Sequence, residues 1–501
     1  MMKRTLAMIL AALMLLTVLA ACDGGKTPAE TTGTSDTTAD PAQGDGSADT
    51  EKLTEAERRA LVDDELPDDK NFGNREFVIV TLDPQMLLYV PEDQTGAVLN
   101  DSIYDRNNTV ETDYGVKLRT LSYANRKACR PAIQQAMTSG DVEMFDLVAY
   151  HLVDNAANAV AGLYHNWYDV PYVDFEKPWW ADSNINDLTI NGKSFVALGD
   201  MNITSIRNIW CYVLNKKIAA DADVGDLYQL VRDGKWTIGK VEELAATVSN
   251  DVNADGVKDM GDIFGLTSYA TGSAMNTYLW AFDNPIIQKD AAGEPQFTLN
   301  TDKFPDIVTT IVELYNNGTG VWSALAPDTT SHKTVFQNGN AMLMTGQFFD
   351  VVDMSGAANF DVGILPFPKF DEEQTNYYTM VDGGADSMGI SKIESDEELE
   401  TIGLIIEAMC AESYKQIYPV YYDTMLKNRY ADMPDDAEMM DIIVDSRVYD
   451  VGYIYDNWKA AGFWMQNLVR ANNTNTASYY ASNWSTAEQY YTDQVLALFE
   501  D

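Results

Sequence analysis

Apolar residues recur along this chain with two different spacings. Short, largely apolar runs appear at Phe77-Val78-Ile79-Val80, at Phe145-Asp146-Leu147-Val148-Ala149 and at Val362-Gly363-Ile364-Leu365. Runs of this length predict short, buried strands. The third is halted by Pro366 and Pro368, which cannot donate to a strand ladder. Between such runs lie segments of helical pattern. Asp101 to Thr112 and Asp306 to Tyr315 predict helices. Pro131 is placed to open a helix that ends at Ser139, before Gly140. Thr237 is placed to cap a helix whose Val241, Leu244, Ala245 and Val248 share one face. Ser485-Thr486-Ala487-Glu488 has the order of a capping box and predicts the start of the last helix. Alternating elements of these two kinds predict an α/β protein. No internal repeat is visible.

The N-terminus departs from this pattern. Met1-Met2-Lys3-Arg4 is a short basic stretch, and Leu6 to Ala21 is apolar except for Thr17. That run is shorter than the roughly 20 residues a membrane-spanning helix needs. It ends in Leu19-Ala20-Ala21-Cys22, where small residues invite cleavage. The segment resembles a bacterial lipobox, which implies a signal peptide over 1–21 and a lipidated Cys22. An ordinary secretion signal with an incidental cysteine is the alternative. Residues 23–50 hold no aromatic and no aliphatic larger than alanine, so they cannot bury enough apolar surface to order themselves. They read as the main part of a tether over 22–70. A short helix is expected within 51–66, and the globular body is expected to start near Phe72.

Composition narrows the function. The 501 residues, 46% of them hydrophobic, suit two or three domains with sizeable cores. Lys and Arg total 34 against 77 Asp and Glu, a net charge of −43. That balance argues against nucleic acid as a partner. It suits a soluble protein outside a cell, or one that handles neutral or cationic ligands. Cys129, Cys211 and Cys410 have no metal-type spacing and read as buried thiols. The three histidines, His151, His165 and His332, have no activating partner at diagnostic spacing, and there is no G-x-S-x-G and no phosphate-cradling glycine loop. A glycosidase pair needs two carboxyl groups at a fixed separation, which a sequence cannot display.

One stretch concentrates charge. In DVNADGVKDMGD, residues 251–262, Asp251, Asn253, Asp255, Val257 through its carbonyl, Asp259 and Asp262 take positions 1, 3, 5, 7, 9 and 12 of a calcium loop, with Gly256 at the sharp turn. A strand, not a second helix, is expected at Phe264-Gly265-Leu266-Thr267. The loop therefore reads as a structural Ca2+ staple, with a metal-free Asp-Gly turn and a calcium sensor as the other readings.

Several segments together resemble the extracellular solute-binding protein family 1, the lipoproteins that serve carbohydrate ABC transporters. They are Tyr212-Val213-Leu214-Asn215-Lys216-Lys217, Gly234-Lys235-Trp236-Thr237 with Val241-Glu242-Glu243-Leu244, Asp262-Ile263-Phe264-Gly265-Leu266, Asn338-Gly339-Asn340-Ala341-Met342, and Val362 to Lys369. The chain departs from that family in the aromatic pair after Met342, which is Phe348-Phe349 rather than tryptophan. The resemblance implies a two-lobed class II periplasmic-binding-protein fold with a hinge. Lobe 1 would take 71–205 with 384–415, and lobe 2 would take 206–383 with 416–501. It further implies a monomeric, non-enzymatic receptor, lipid-anchored at the extracellular face of a bacterial membrane. Such a receptor captures a mono- or oligosaccharide between the lobes and delivers it to the permease subunits of an ABC importer. A receptor for a peptide or polyamine, and a surface-anchored glycan hydrolase, are the alternatives. Sugar binding needs aromatic faces and planar polar groups. The candidates at loops expected to face the cleft are Trp210, Trp280, Phe282, Asp283, Gln347, Phe348, Asp382 and Trp458. Trp179-Trp180, and Tyr414, Tyr418 and Tyr421 at helical spacing, are expected to pack inside.

Overall fold

The structure is a computed structural model describing residues 53–141, 144–180, 182–422 and 434–500. The signal segment, Cys22 and the tether through residue 52 lie outside the described residues.

Two larger sheets organise the described chain. β1 (Arg75–Leu82), β2 (Val116–Tyr123) and β3 (Leu147–His151) begin the first. β4 (Trp210–Asn215), β5 (Phe264–Tyr269), β6 (Val321–Ala324), β7 (Ala341–Gln347) and β8 (Val362–Leu365) make the second. β9 (Asp386–Gly389) then returns to the first. The orders are β9-β3-β1-β2 and β8-β4-β7-β5-β6. β1 runs parallel to β2 and β3, and β9 is antiparallel to β3. β5 runs parallel to β6 and β7, whereas β4 is antiparallel to β7 and β8. This is the expected α/β class.

Burial explains why the strands are continuous apolar runs. In the central β1, Phe77 to Leu82 are all buried, because helices cover both faces of a mostly parallel sheet. Phe77 and Ile79 face a core formed with Trp167, Trp179, Trp180 and the helix Asp396–Tyr418. Both Trp179 and Trp180 donate their indole N–H to the Glu407 carboxylate, at 2.7 and 3.0 Å. Val78 and Val80 face a second core, continuous with that of the second sheet. The helix Ile238–Val248 buries the expected apolar face, and Thr237 caps it by accepting the Lys240 N–H at 3.3 Å. That helix lies so close to β5 that a Cβ on Gly265 would meet the Ala245 Cα at 2.2 Å. Cys129, Cys211 and Cys410 are free and buried.

Three expectations are corrected. Pro131 does not open its helix, which runs Arg126–Ser139 with Asn125 as the cap, its side chain accepting the Ala128 N–H. Ser485 does not open the last long helix, which runs Thr476–Tyr490 behind a cap at Asn475. In both places an asparagine upstream satisfies the first N–H groups and moves the start. The folded body also begins earlier than Phe72. The compact unit starts at Thr54, and the helix Glu55–Ala60 sets the Arg59 guanidinium 4.4 Å from the Tyr418 ring centre. No helix among the described residues is long and apolar enough to cross a membrane.

Candidate functional site

In an open α/β sheet, ligands bind beyond the carboxyl ends of the parallel strands. In the first sheet those ends are Leu82, Tyr123 and His151, and antiparallel β9 starts beside them at Asp386. In the second they are Tyr269, Ala324 and Gln347, and antiparallel β4 starts beside them at Trp210. The chain passes between the sheets at both starts. These crossings touch: the Asp382 N–H donates to the Asn208 carbonyl at 2.9 Å, and Ile209 bridges to Val381. The carboxyl edges of both sheets therefore meet at one place.

Asp382 is the polar centre of that place. It is half-buried. It accepts the Trp210 indole N–H at 3.0 Å, the Ser273 hydroxyl and the Gly384 N–H at 2.7 Å. Behind it the Gly383 N–H donates to the Tyr453 hydroxyl at 3.1 Å. Tyr453 packs on Phe463, and Phe463 stacks on Trp458 with ring centres 3.7 Å apart and planes 13° from parallel. Trp458 is 53% exposed. Asn457 and Trp458 both take left-handed backbone, with φ of 51° and 62°. Non-glycine residues pay about 1–3 kcal/mol each for such conformations, which cluster at ligand sites.

The first sheet supplies charge to the same place. Arg126 follows the end of β2 and lies 5.9 Å from the Trp458 ring centre. Its guanidinium bonds both oxygens of buried Asp154, in the helix that follows β3. Arg130 stands 3.8 Å from the same carboxylate and donates to the Asn457 side chain at 3.0 Å. Burial, aided by the Arg126 charge, pushes the His151 imidazole down to about 3, so it is neutral at pH 7.

Of the residues singled out in the sequence, the structure brings Trp210 and Asp382 together and presents Trp458 nearby. Others go elsewhere. Phe348 is fully buried in the core, and its neighbour Phe349 carries the half-buried ring at the edge of β7. Gln347 is buried, and its backbone N–H donates to the Asp350 carboxylate at 3.0 Å at the start of the helix Phe348–Ala357. Phe282 is fully buried against Tyr278 and Phe370. Trp280 is buried with its N–H on Asp450 at 2.7 Å. Trp280 and exposed Asp283 line a different cavity of about 230 Å³, shared with Asp187, Tyr378 and Tyr449. Sequence reasoning missed Arg126, Asp154, Ser273 and Phe349. The usable signal was position: each lies within about four residues of a strand's carboxyl end.

The acidic loop lies at the other edge of the second sheet, since it leads into the amino end of β5. Its carboxylates serve its own backbone. Asp251 accepts the Gly256 N–H at 2.8 Å, Asp255 the Val257 N–H at 2.7 Å, Asp259 the Gly261 N–H at 2.7 Å, and Asp262 the N–H groups of Val252 and Asp259. Asn253 accepts the Asp255 N–H. Among the described residues no group of three or more His, Cys, Asp or Glu side chains stands where it could hold a metal ion.

No protein-family model matches the sequence, and no curated protein is significantly similar to it. Solved structures match its fold. A cyclo/maltodextrin-binding protein complexed with maltotetraose is 15% identical with a TM-score of 0.53, covering 82% of this chain and 97% of its own. An ABC substrate-binding protein from Listeria monocytogenes in complex with cycloalternan is 13% identical with a TM-score of 0.53, covering 83% of this chain and 99% of its own. The maltose/maltodextrin-binding domain from Bdellovibrio bacteriovorus bound to maltotriose is 16% identical with a TM-score of 0.54, covering 83% of this chain and 100% of its own. The fold is thus the two-lobed one of solute-binding proteins, and these neighbours are binding proteins rather than enzymes.

Proposed function

We propose that the chain is a non-enzymatic, monomeric receptor that captures a carbohydrate where its two sheets meet and delivers it to an ABC importer. The observation that carries this reading is the exposed Trp458 ring, joined through Phe463 and Tyr453 to the loop that carries Asp382. A sugar offers an apolar C–H face to an aromatic ring and paired hydroxyls to a carboxylate, and both features converge here. Left-handed backbone at Trp458, a bulky residue that disfavours it, supports the reading. The neighbours' bound maltodextrins and cycloalternan support it further. Closure is a hinge motion between lobe 1 (71–205 with 384–415) and lobe 2 (206–383 with 416–501), driven by ligand contacts to both. Anchoring through Cys22 at the extracellular face rests on the lipobox order.

The proposal includes a structural Ca2+ ion at 251–262. It is supported by the order of oxygen donors and by the loop's place away from the sugar site; the self-satisfied hydrogen bonds weigh against it.

The test is a thermal-shift screen of the folded unit against mono- and oligosaccharides, with peptides and polyamines as separate arms. The proposal expects a sugar to raise the melting temperature saturably. A shift confined to peptides or polyamines would overturn it.

A further inference from the structure

We infer that the captured saccharide carries a carboxylate, as a uronate does, and that Arg207 receives it. This rests on the carbohydrate reading and narrows it.

Arg207 ends the helix Thr204–Arg207, three residues before Trp210. It is half-buried. It touches two uncharged groups: the Phe349 ring, whose centre lies 5.9 Å from the guanidinium, and the Tyr421 hydroxyl. Among the described residues no carboxylate lies within ion-pair distance of it. Other half-buried arginines are paired: Arg126 grips Asp154, and Arg75 pairs with Asp146 and Glu398. Fully buried Arg106 bonds the carbonyls of Tyr89 and Met201, the Ser413 hydroxyl and the Asn107 amide. A cation taken out of water without a counter-charge or a full set of acceptors destabilises the fold. Among the described residues Arg207 has neither, and it stands at the edge where the ligand is expected.

Its surroundings do not cancel the charge. Lys333 approaches the same Phe349 ring, 5.2 Å from its centre, and is paired with Asp350. Asp386, at the start of β9, also feels Arg207, but burial pushes its carboxyl up to about 7, so much of it is neutral. On the opposite wall Arg126 and Arg130 share the single carboxylate of Asp154. With Asp382 counted, three arginines, Arg126, Arg130 and Arg207, stand against two carboxylates, Asp154 and Asp382, in a chain of net charge −43. Charges farther off than the Debye length, about 8 Å at physiological salt, are largely screened, so this local surplus governs.

A uronate fits both halves of the arrangement. Its ring has C–H faces for Trp458 and Phe349, and its planar carboxylate matches the guanidinium fork, with two parallel N–H···O bonds.

The experiment is calorimetric titration with matched pairs: galacturonate, glucuronate and mannuronate oligosaccharides, each beside its carboxyl-reduced neutral counterpart, with a sugar phosphate as a third arm. The expected result is at least about tenfold tighter binding of one uronate than of its reduced partner. Arg207→Gln should abolish that preference, lowering affinity for the uronate by at least about tenfold more than for its neutral partner. Arg207→Lys, which keeps the charge but not the fork, should fall between. Without ligand, Arg207→Gln should melt no lower than wild type, because it removes an uncompensated charge. If that variant does not fold, the wild-type preference alone decides the matter. Equal or tighter binding of the reduced sugars, a preference for the phosphate, or equal loss on both members of a pair would overturn the inference and leave the carbohydrate reading standing. Failure of every sugar would overturn both.

Discussion

The indole N–H of Trp210 donates to the Asp382 carboxylate across 3.0 Å, joining residues 172 positions apart. One opens β4 and the other precedes β9, so the bond ties together the two chain crossings between the sheets. The Ser273 hydroxyl donates to the same carboxylate oxygen from just beyond β5. An oxygen already holding two donors is fixed in direction, which is what a hydroxyl-binding group requires.

Asp382→Ala should therefore weaken sugar binding by at least about tenfold, roughly 1.4 kcal/mol, since it removes a charged acceptor. Trp210→Phe should cost less, because it frees the carboxylate without deleting it. Calorimetric titration of both variants measures the difference. Equal losses would place the indole itself on the sugar.

Trp458 separates binding from stability. Trp458→Gly removes the exposed ring and relieves the left-handed backbone at φ 62°. Relief of the backbone, about 1 kcal/mol, offsets the lost stacking on Phe463, so stability should change by no more than about 1 kcal/mol while sugar affinity is lost. Thermal unfolding and titration on one preparation check both halves. A clear loss of stability with binding intact would make Trp458 a structural residue.

The strands at 77–80 and 362–365 were legible because buried runs leave an unbroken apolar signature. The site was only partly legible, and the reasons are local. All seven residues of β7 are buried, so no alternation reveals whether Phe348 or Phe349 faces outward. The helix Ala274–Ala281 is buried all round, which hides that Trp280 points to Asp450. Arg126 and Asp154 follow different strands, and only the parallel pairing of β1 with both brings them together. Caps at Asn125 and Asn475 outcompeted the more familiar signals at Pro131 and Ser485.

Glu407 predicts a pH dependence. Burial raises its carboxyl to about 7, against the opposing pull of the two indole donors. A carboxyl raised on folding adds stability that is full below its unfolded value, near 4.5, and is lost as pH rises through about 7. Glu407→Gln removes that term. The stability of wild type relative to the variant should fall between pH 4.5 and 7, by up to about 3 kcal/mol. Denaturant melts across that range test it, and parallel curves would show that Glu407 titrates normally.

The acidic loop has its own test. Ca2+ bound only by the folded chain should stabilise it by about 2.7 kcal/mol at a hundredfold excess over Kd. Asp251→Ala with Asp255→Ala should remove that gain and leave sugar affinity nearly unchanged. Calorimetric scans in chelator and in calcium compare the proteins, and equal shifts in both would sink the assignment.

The central claim is capture without chemistry at the meeting of the two sheets. Its most direct measurement is equilibrium dialysis of the folded unit with a labelled oligosaccharide from the screen, followed by chromatography of the recovered sugar. The account predicts saturation at one sugar per chain, binding lost in Trp458→Gly, and sugar recovered at its original length. Shortened products from wild type, or full binding by that variant, would contradict it.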